Sequence, residues 1–349
     1  MNFNNKLKHW YLQNNRELPW RKTKDPYHIW LSEIMLQQTR VAQGLPYYLR
    51  YIEAFPTVFH LAEASEEKVL KLWQGLGYYS RARNLHFTAK YIANELNGEF
   101  PGNYKDLLKL KGVGDYTASA IASICFNEAA AVVDGNVYRV LSRYFGIETP
   151  INSTKGIKEF KELAQTLIDT KEPGVYNQAI MDFGALHCKP QKPLCDECHI
   201  SSSCVALEKD LVGTLPIKEK KIKVRKRYFN YLVLKTANGY TMLNERKGKG
   251  IWQGLYEFPL VETQKPIESV KELINDKGFE DLFQSDVSIS LFNTKDVVHK
   301  LSHQHLYTKF WVIEIEKHIK ATIKWNEVEE YPVPVLIDKF LTNFKKDKI

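Results

Sequence analysis

Four of the five cysteines in the chain lie within seventeen residues, in "CKPQKPLCDECHISSSC", residues 188–204. Their spacing is C-x6-C-x2-C-x5-C, set by Cys188, Cys195, Cys198 and Cys204. Four thiolates this close can wrap one tetrahedral ion or one iron–sulfur cube, so the loop between them must close on a single point. The opening "MNFNNKLKHW" lacks the apolar stretch of a secretory signal, and clustered cysteines without export point to metal binding rather than disulfides. On spacing alone, zinc and a 4Fe-4S cluster are both open. His199 reads as a bystander, because four sulfurs already satisfy either group. Lys189 and Lys192 place positive charge between the first two ligands, where phosphate can be met. Cys125, alone in "ASAIASICF", reads as a small core residue.

Upstream of this loop the pattern is helical. Apolar residues recur at three- and four-residue spacing over 62–74, 104–110, 117–126, 137–145, 155–169 and 175–187, separated by Gly, Pro and Asn. The 349 residues suffice for two or three domains, and 44% hydrophobic with 26% charged residues is a globular composition. The longest apolar run, 117–133, is interrupted by Asn127 and Glu128, so no membrane span is expected and a cytoplasmic location is the default. A formal net charge of +8 is compatible with a nucleic-acid partner.

The pattern changes after Cys204. "KEKKIKVRKR", 218–227, carries seven basic residues against one acid and reads as a solvated linker. Beyond it, "YFNYLVLKTANGYTML" holds two strand-like runs around Asn-Gly, which predicts a hairpin. "VSISLF" and "LYTKFWVIEIE" predict further strands, with a helix in "PIESVKELIND". The expected organisation is a helical domain over 1–210, a basic linker over 211–227 and an α/β domain over 228–349.

Within the helical part, "LLKLKGVGDYTASAIA", 107–122, reads as helix, tight turn, helix. Gly112 and Gly114 permit positive φ and remove side-chain bulk, so N–H groups at the second helix can approach a phosphate. Twenty residues past Gly114 stands Asp134 in "AVVDGNVYRVLSRYFG", placed to cap the next helix. A capping Asp can also turn its free oxygen into a cleft. Glu33 is odder. In "IWLSEIMLQQT", 29–39, its neighbours one turn away are Ile29, Trp30, Leu36 and Gln37, three of them apolar or aromatic. From the helix alone, a position at the edge of the apolar stripe, reaching solvent, is the favoured reading of Glu33 over a buried carboxyl.

A helix-hairpin-helix, an Asp twenty residues on and the four-cysteine spacing, in that order, resemble the endonuclease III superfamily of DNA glycosylases. "LPWRKTKDPYHIWLSEIMLQQTRV", "WQGLGYYSRARNL", "KGVGDYTASAIASI", "DGNVYRVLSR" and "IWQGLYEFP" look like the MutY family of adenine DNA glycosylases. The resemblance runs from residue 6 to about 320. It implies a 4Fe-4S cluster on the four cysteines, and maps the catalytic acid onto Glu33. The same resemblance gives Asp134 as the carboxylate that stabilises the sugar cation or forms a transient adduct. Tyr116 would position the acid and Asn136 would orient groups around Asp134. Bifunctional relatives carry a Lys nucleophile where this chain has Tyr116, so base removal without efficient strand cleavage is expected. Gln38 and Tyr78 match residues that wedge into the duplex, and Thr39 and Leu76 match neighbours of the opposite base. Trp20, Arg21 and Gln178 match positions lining an adenine pocket. The implied partner is double-stranded DNA with adenine opposite 8-oxoguanine or guanine, met by a monomer with no membrane association.

The second domain is similar to the Nudix-like domain of that family. "LYEFPLVETQKPIESVKELIND" lacks the R-E-x-x-E-E arrangement that holds magnesium, so no phosphohydrolase activity is expected. In the family a Phe-Ser-His loop tip reads 8-oxoguanine, and this chain has Leu301, Ser302 and His303 there. His299, His303 and His305 stand near no carboxylate cluster, and a second metal site is not expected. The fold class is therefore α plus α/β: an all-helical helix-hairpin-helix glycosylase domain with its cluster loop, then a Nudix-like domain. Two rival readings are a bifunctional pyrimidine glycosylase and a thymine-mismatch glycosylase. A third is a non-catalytic DNA-binding module, for which Glu33 would be dispensable.

Overall fold

The computed structural model describes residues 3–219, 224–280, 287–315 and 323–346. Two compact units are formed, Met1–Glu63 with Asn84–Lys220, and Ala64–Arg83 with Lys221–Ile349. In chain order the helices are α1 (Phe3–Asn14), α2 (Pro26–Leu36), α3 (Val41–Ala54), α4 (Val58–Glu63), α5 (Glu66–Trp73), α6 (Ser80–Glu95), α7 (Tyr104–Leu107) and α8 (Asp115–Phe126). They continue with α9 (Gly135–Phe145), α10 (Thr154–Leu167), α11 (Pro173–Asp182), α12 (Val205–Glu208), α13 (Val270–Ile274), α14 (Lys277–Glu280) and α15 (Val335–Lys346). No described helix is long and apolar enough to cross a membrane.

The single helix expected over 62–74 is two. Ser65 accepts a hydrogen bond from the Lys68 amide and starts α5 afresh, so α4 and α5 part at residue 64. The first unit is built on helices buried more deeply than their patterns suggest. In α2 every residue from Ile29 to Met35 is buried, Glu33 included. Full burial of side chains such as Ile29 and Leu31 contributes about 1.5–3 kcal/mol each, which offsets the cost of carrying one carboxyl inward. The core around α9 gathers Leu7 and Trp10 of α1, Val137, Val140 and Leu141 of α9, Phe160 of α10, and Tyr176 and Ile180 of α11. Gly146 closes α9 at φ 68°, and a side chain there would run into Val205. At its C-terminal end α11 widens into a π-turn, Phe183–His187, which delivers Cys188. Such turns concentrate at functional sites.

The second unit is organised by two long parallel strands, β1 (Arg225–Thr236) and β8 (Gln304–Ile315), paired from Arg225 with Gln304 through Thr236 with Ile315. Strand β5 (Leu260–Thr263) lies antiparallel on the other edge of β1, while β6 (Ser288–Leu291) and β7 (Val297–Lys300) pair antiparallel with β8. The sheet is mixed, and both its faces are covered. Leu232, Leu234, Trp311 and Ile313 point into one apolar cluster with Leu273 and Phe279. On the other face Phe310 stacks on Tyr231 and on Phe340 of α15, with ring centroids 5.4 and 4.1 Å away. Burial on both sides explains why these strands read as nearly continuous apolar runs.

The hairpin expected around Asn238-Gly239 is only half formed. Gly239 takes φ 81° and its amide donates to the Thr236 carbonyl, so the turn is present. The chain beyond it leaves β1, whose two edges are already occupied by β5 and β8. Strand β2 (Tyr240–Thr241) pairs with β9 (Ile323–Lys324) instead, and β3 (Asn244–Glu245) pairs with β4 (Tyr256–Glu257). Of the basic stretch 211–227, residues 220–223 lie outside the described residues. Leu215 and Ile217 accept hydrogen bonds from Arg143 and from the Ile151 amide within the first unit, and Arg225 already belongs to β1.

Candidate active site

Five segments of the first unit converge on one cavity of about 650 Å³. Glu33 enters from α2, Tyr116 from α8, Asp134 and Asn136 from the start of α9, and Gln178 from α11. Trp20 and Arg21 come from a 3₁₀ turn, Pro19–Arg21. Gln38 and Thr39, just past α2, line the same space. Nine residues separated by up to 158 positions in the sequence are thus brought together.

Glu33 is only 8% exposed. Burial pushes its carboxyl up to about 7, the Asp134 charge adds to the rise, and Tyr116 and Arg21 counter it. The Tyr116 hydroxyl, within hydrogen-bonding reach of Glu33, directs its proton to Met181 Sδ at 3.2 Å. Asp134 is both a helix cap and a wall of the cavity. Its Oδ1 accepts from the Asn136 and Val137 amides at 2.9 and 2.8 Å, and its Oδ2 from Asn136 Nδ2 at 2.7 Å. Burial raises the Asp134 carboxyl above its ordinary value, and these donors offset only part of the rise. Two carboxyls of one cavity therefore sit in different environments, one held by apolar neighbours and the other by N–H groups. The N–H donors favour the charged form of Asp134, whereas Glu33 has apolar surroundings that favour its neutral form.

Arg21 faces Glu33 but is held from behind. Its Nη1 and Nη2 donate to Asp182 Oδ2 and Oδ1 at 2.6 and 2.9 Å. Asp182 is fully buried and also takes Arg16 Nε at 3.0 Å. Burial would raise the Asp182 carboxyl, yet the two guanidinium groups hold it below the usual carboxylate range. Arg16, Arg139 and Met181 also line the cavity, and the sequence reading missed all three. Arg139 lies within "DGNVYRVLSR" and Met181 on α11, where helical periodicity points equally to packing; Arg16, between α1 and α2, carries no local signal.

The four cysteines line a second, smaller cavity walled by Val140, Phe183, Leu194 and Ile200. Arg143 Nη1 lies 3.4 Å from Cys188 Sγ and donates to the Lys189 carbonyl at 2.8 Å. Among the described residues no three His, Cys, Asp or Glu side chains are gathered as ligands of a single metal ion; the four sulfurs surround the cavity instead. Cys125 is half-buried, with its thiol pushed up to about 12 by burial.

The hairpin between α7 and α8 forms, although its two glycines differ. Gly112 has φ 82°, and a Cβ there would lie 2.7 Å from Asn84 Cβ, so only glycine fits. Gly114 caps α8 at φ −93°, an ordinary conformation, and nothing stands within 4 Å of where its Cβ would be. Its part is to leave the helix end open rather than to supply positive φ. Asp115, next in the chain, is held by the Tyr104 hydroxyl and by Lys161.

In the second unit a separate cavity of about 420 Å³ is lined by Leu76, Tyr78, Ser302 and His303. Tyr78 Oη and Ser302 Oγ are 2.9 Å apart. Leu301 opens the turn between β7 and β8, its amide donating to the Gln304 carbonyl at 2.9 Å. Gln38 and Tyr78 both adopt left-handed φ, 57° and 49°. Side chains seldom tolerate that region, and such strain concentrates at ligand-binding positions. Tyr78 is half-exposed, whereas Tyr79 beside it is buried.

A profile of HhH-GPD superfamily base excision DNA repair proteins matches residues 31–166, and one of NUDIX domains matches 230–343. An adenine DNA glycosylase of Buchnera aphidicola subsp. Baizongia pistaciae is 36% identical over 346 residues, 97% of this chain and 95% of the relative. The human adenine DNA glycosylase is 45% identical over 216 residues, 59% of this chain and 40% of its own. A thermostable thymine-DNA glycosylase of known structure superposes with a TM-score of 0.55 at 33% identity, over 59% of this chain and 95% of that one. The chain belongs to the adenine DNA glycosylase (MutY) family of the HhH-GPD superfamily.

Proposed function

We propose that the chain removes adenine paired with 8-oxoguanine or guanine from duplex DNA, by acid-assisted cleavage of the N-glycosidic bond and without cutting the strand. The observation that carries this reading is Glu33, a buried carboxyl raised to about 7 in the cavity that also holds Asp134. Adenine leaves a deoxyribose poorly as an anion. A proton from Glu33 on a ring nitrogen lets the bonding electron pair depart with a neutral base. The sugar left behind is cationic at its anomeric carbon, and the ionised Asp134 stabilises it, directly or through a short-lived ester. Water adds to that carbon and returns its proton to Glu33.

Tyr116 and Asn136 act as positioning residues, Tyr116 beside the acid and Asn136 on Asp134 Oδ2. The target nucleotide must leave the stack to reach this cavity. The strained Gln38, with Thr39 at its mouth, supports a role in holding the gap that is left. Leu76, Tyr78, Ser302 and His303 line a cavity suited to the opposite base. Cys188, Cys195, Cys198 and Cys204 would hold a 4Fe-4S cluster. Four sulfurs around a common apolar cavity suit a polynuclear iron–sulfur group better than one zinc, which needs every sulfur at about 2.3 Å. When bound, the cluster staples the loop 188–204.

The test is a single-turnover panel of duplexes bearing adenine opposite 8-oxoguanine, guanine and cytosine, plus thymine opposite guanine. Adenine release that is fastest opposite 8-oxoguanine, with breaks only after alkali, is expected. Faster thymine release would assign the chemistry of the thymine-DNA glycosylase relative. Strand breaks without alkali, together with a borohydride-trapped adduct, would assign a bifunctional enzyme.

A further inference from the structure

Gln178 presents an amide to the base cavity, and an amide has two faces: its oxygen accepts and its nitrogen donates. Which one meets the base decides which base edge is accepted. The structure supplies a reason for one orientation. Tyr11, buried on α1, donates from its hydroxyl to Gln178 Oε1 at 2.7 Å. A phenol is a better donor than acceptor, because its lone pair is drawn into the ring. The Arg21 guanidinium, 5.8 Å from the Tyr11 ring centroid, sharpens that bias. Arg21 cannot swing away, since Asp182 holds both of its terminal nitrogens. Gln178 Nε2 has no hydrogen-bond partner among the described residues and is not buried, and Gln178 lines the cavity.

We propose that Tyr11 is a specificity-determining positioning residue: it locks the Gln178 amide with Nε2 toward the base, so that the cavity selects a purine edge offering an unprotonated ring nitrogen and rejects one carrying N–H. Adenine offers only acceptors among its free ring nitrogens. Hypoxanthine and guanine carry N1–H, which would meet the Gln178 donor head-on. The inference rests on the proposed adenine excision and extends it to how the base is chosen.

The experiment compares single-turnover excision of adenine and of hypoxanthine, each opposite the same base, for the wild type, Tyr11→Phe and Gln178→Glu. Tyr11→Phe keeps the ring and deletes the hydroxyl, freeing the amide to turn. Its adenine-to-hypoxanthine rate ratio should fall about tenfold, the worth of one hydrogen bond. Gln178→Glu presents only acceptor oxygens and should lower the ratio at least as far. Thermal unfolding of each variant shows that it is folded, and a ratio compares two substrates on one preparation. If both variants slow the two substrates equally, Tyr11 is structural and the proposal is overturned. If the wild type releases neither base, the underlying function fails, which is a different outcome from an unchanged ratio.

Discussion

Arg139 Nε donates to the carbonyl oxygen of Cys188 at 2.7 Å, tying the first residue of the cysteine loop to the helix that Asp134 caps. The same guanidinium donates to Asn136 Oδ1 at 2.9 Å and to the Gly184 carbonyl at 2.6 Å. Asn136 in turn donates to Asp134 Oδ2. Two side chains of α9, Arg139 and Asn136, thus connect the loop to the carboxylate of the cavity.

Arg139→Leu removes this connection and orphans buried carbonyls, each at a cost of about 1–3 kcal/mol. The expected result is a loss of roughly 3 kcal/mol or more in stability, lower iron content after purification, and at least tenfold slower excision. Arg139→Lys keeps the charge but not the planar fork, and should recover little of it. Denaturant unfolding and iron analysis on one preparation check this. Unchanged iron and activity in Arg139→Leu would mean that the connection carries nothing.

The raised Glu33 carboxyl makes two pH predictions. As a general acid it works only while protonated, so the excision rate should fall as pH rises through about 7. Stability follows the same sign. The folded-state value, about 7, exceeds the ordinary 4.5, so the folded form is fully favoured below 4.5 and loses stability as pH rises through 7. A rise of about 2.5 corresponds to about 3 kcal/mol lost by pH 8. Glu33→Gln escapes that loss. It should match the wild type in stability near pH 4 and exceed it by a few kcal/mol at pH 8, measured by urea unfolding at the two pH values.

Asp134 can be divided into its two roles by one substitution. Serine caps helices as well as aspartate does, whereas alanine costs about 1 kcal/mol. Asp134→Ser should therefore unfold within about 1 kcal/mol of the wild type while excision drops at least a hundredfold. Equal loss of stability and activity would show that the carboxylate matters only as a cap.

Much of this site could be read in the sequence, though not its assembly. The cysteine spacing, the Gly112 turn and the Asp134 cap each rest on local chemistry, and local chemistry is what a sequence displays. Glu33 was ambiguous because one helical turn cannot tell an edge from an interior; only the packing of α2 on every side settles its burial. The ties of Arg139 to Cys188 and of Asp182 to Arg21 carry no local signature, since those partners lie 49 and 161 residues away. The left-handed φ of Gln38 and Tyr78 was hidden for a similar reason: neither is a glycine or an asparagine, the residues that announce such a turn. The Asn238-Gly239 signal misled in the opposite sense. It specifies a turn, but whether the following strand returns to its neighbour depends on which edges are free, and β5 and β8 had taken both.

On the proposed function, Glu33 supplies the proton that releases adenine. The most direct measurement is single-turnover incubation of wild type and Glu33→Gln with a duplex bearing adenine opposite 8-oxoguanine, with binding measured on the same duplex. The expected result is abasic product from the wild type, cleaved by alkali and scarcely without it, and a loss of at least about a hundredfold in Glu33→Gln with binding retained. Excision by Glu33→Gln at the wild-type rate would contradict it, as would a wild type that binds the duplex and releases no adenine.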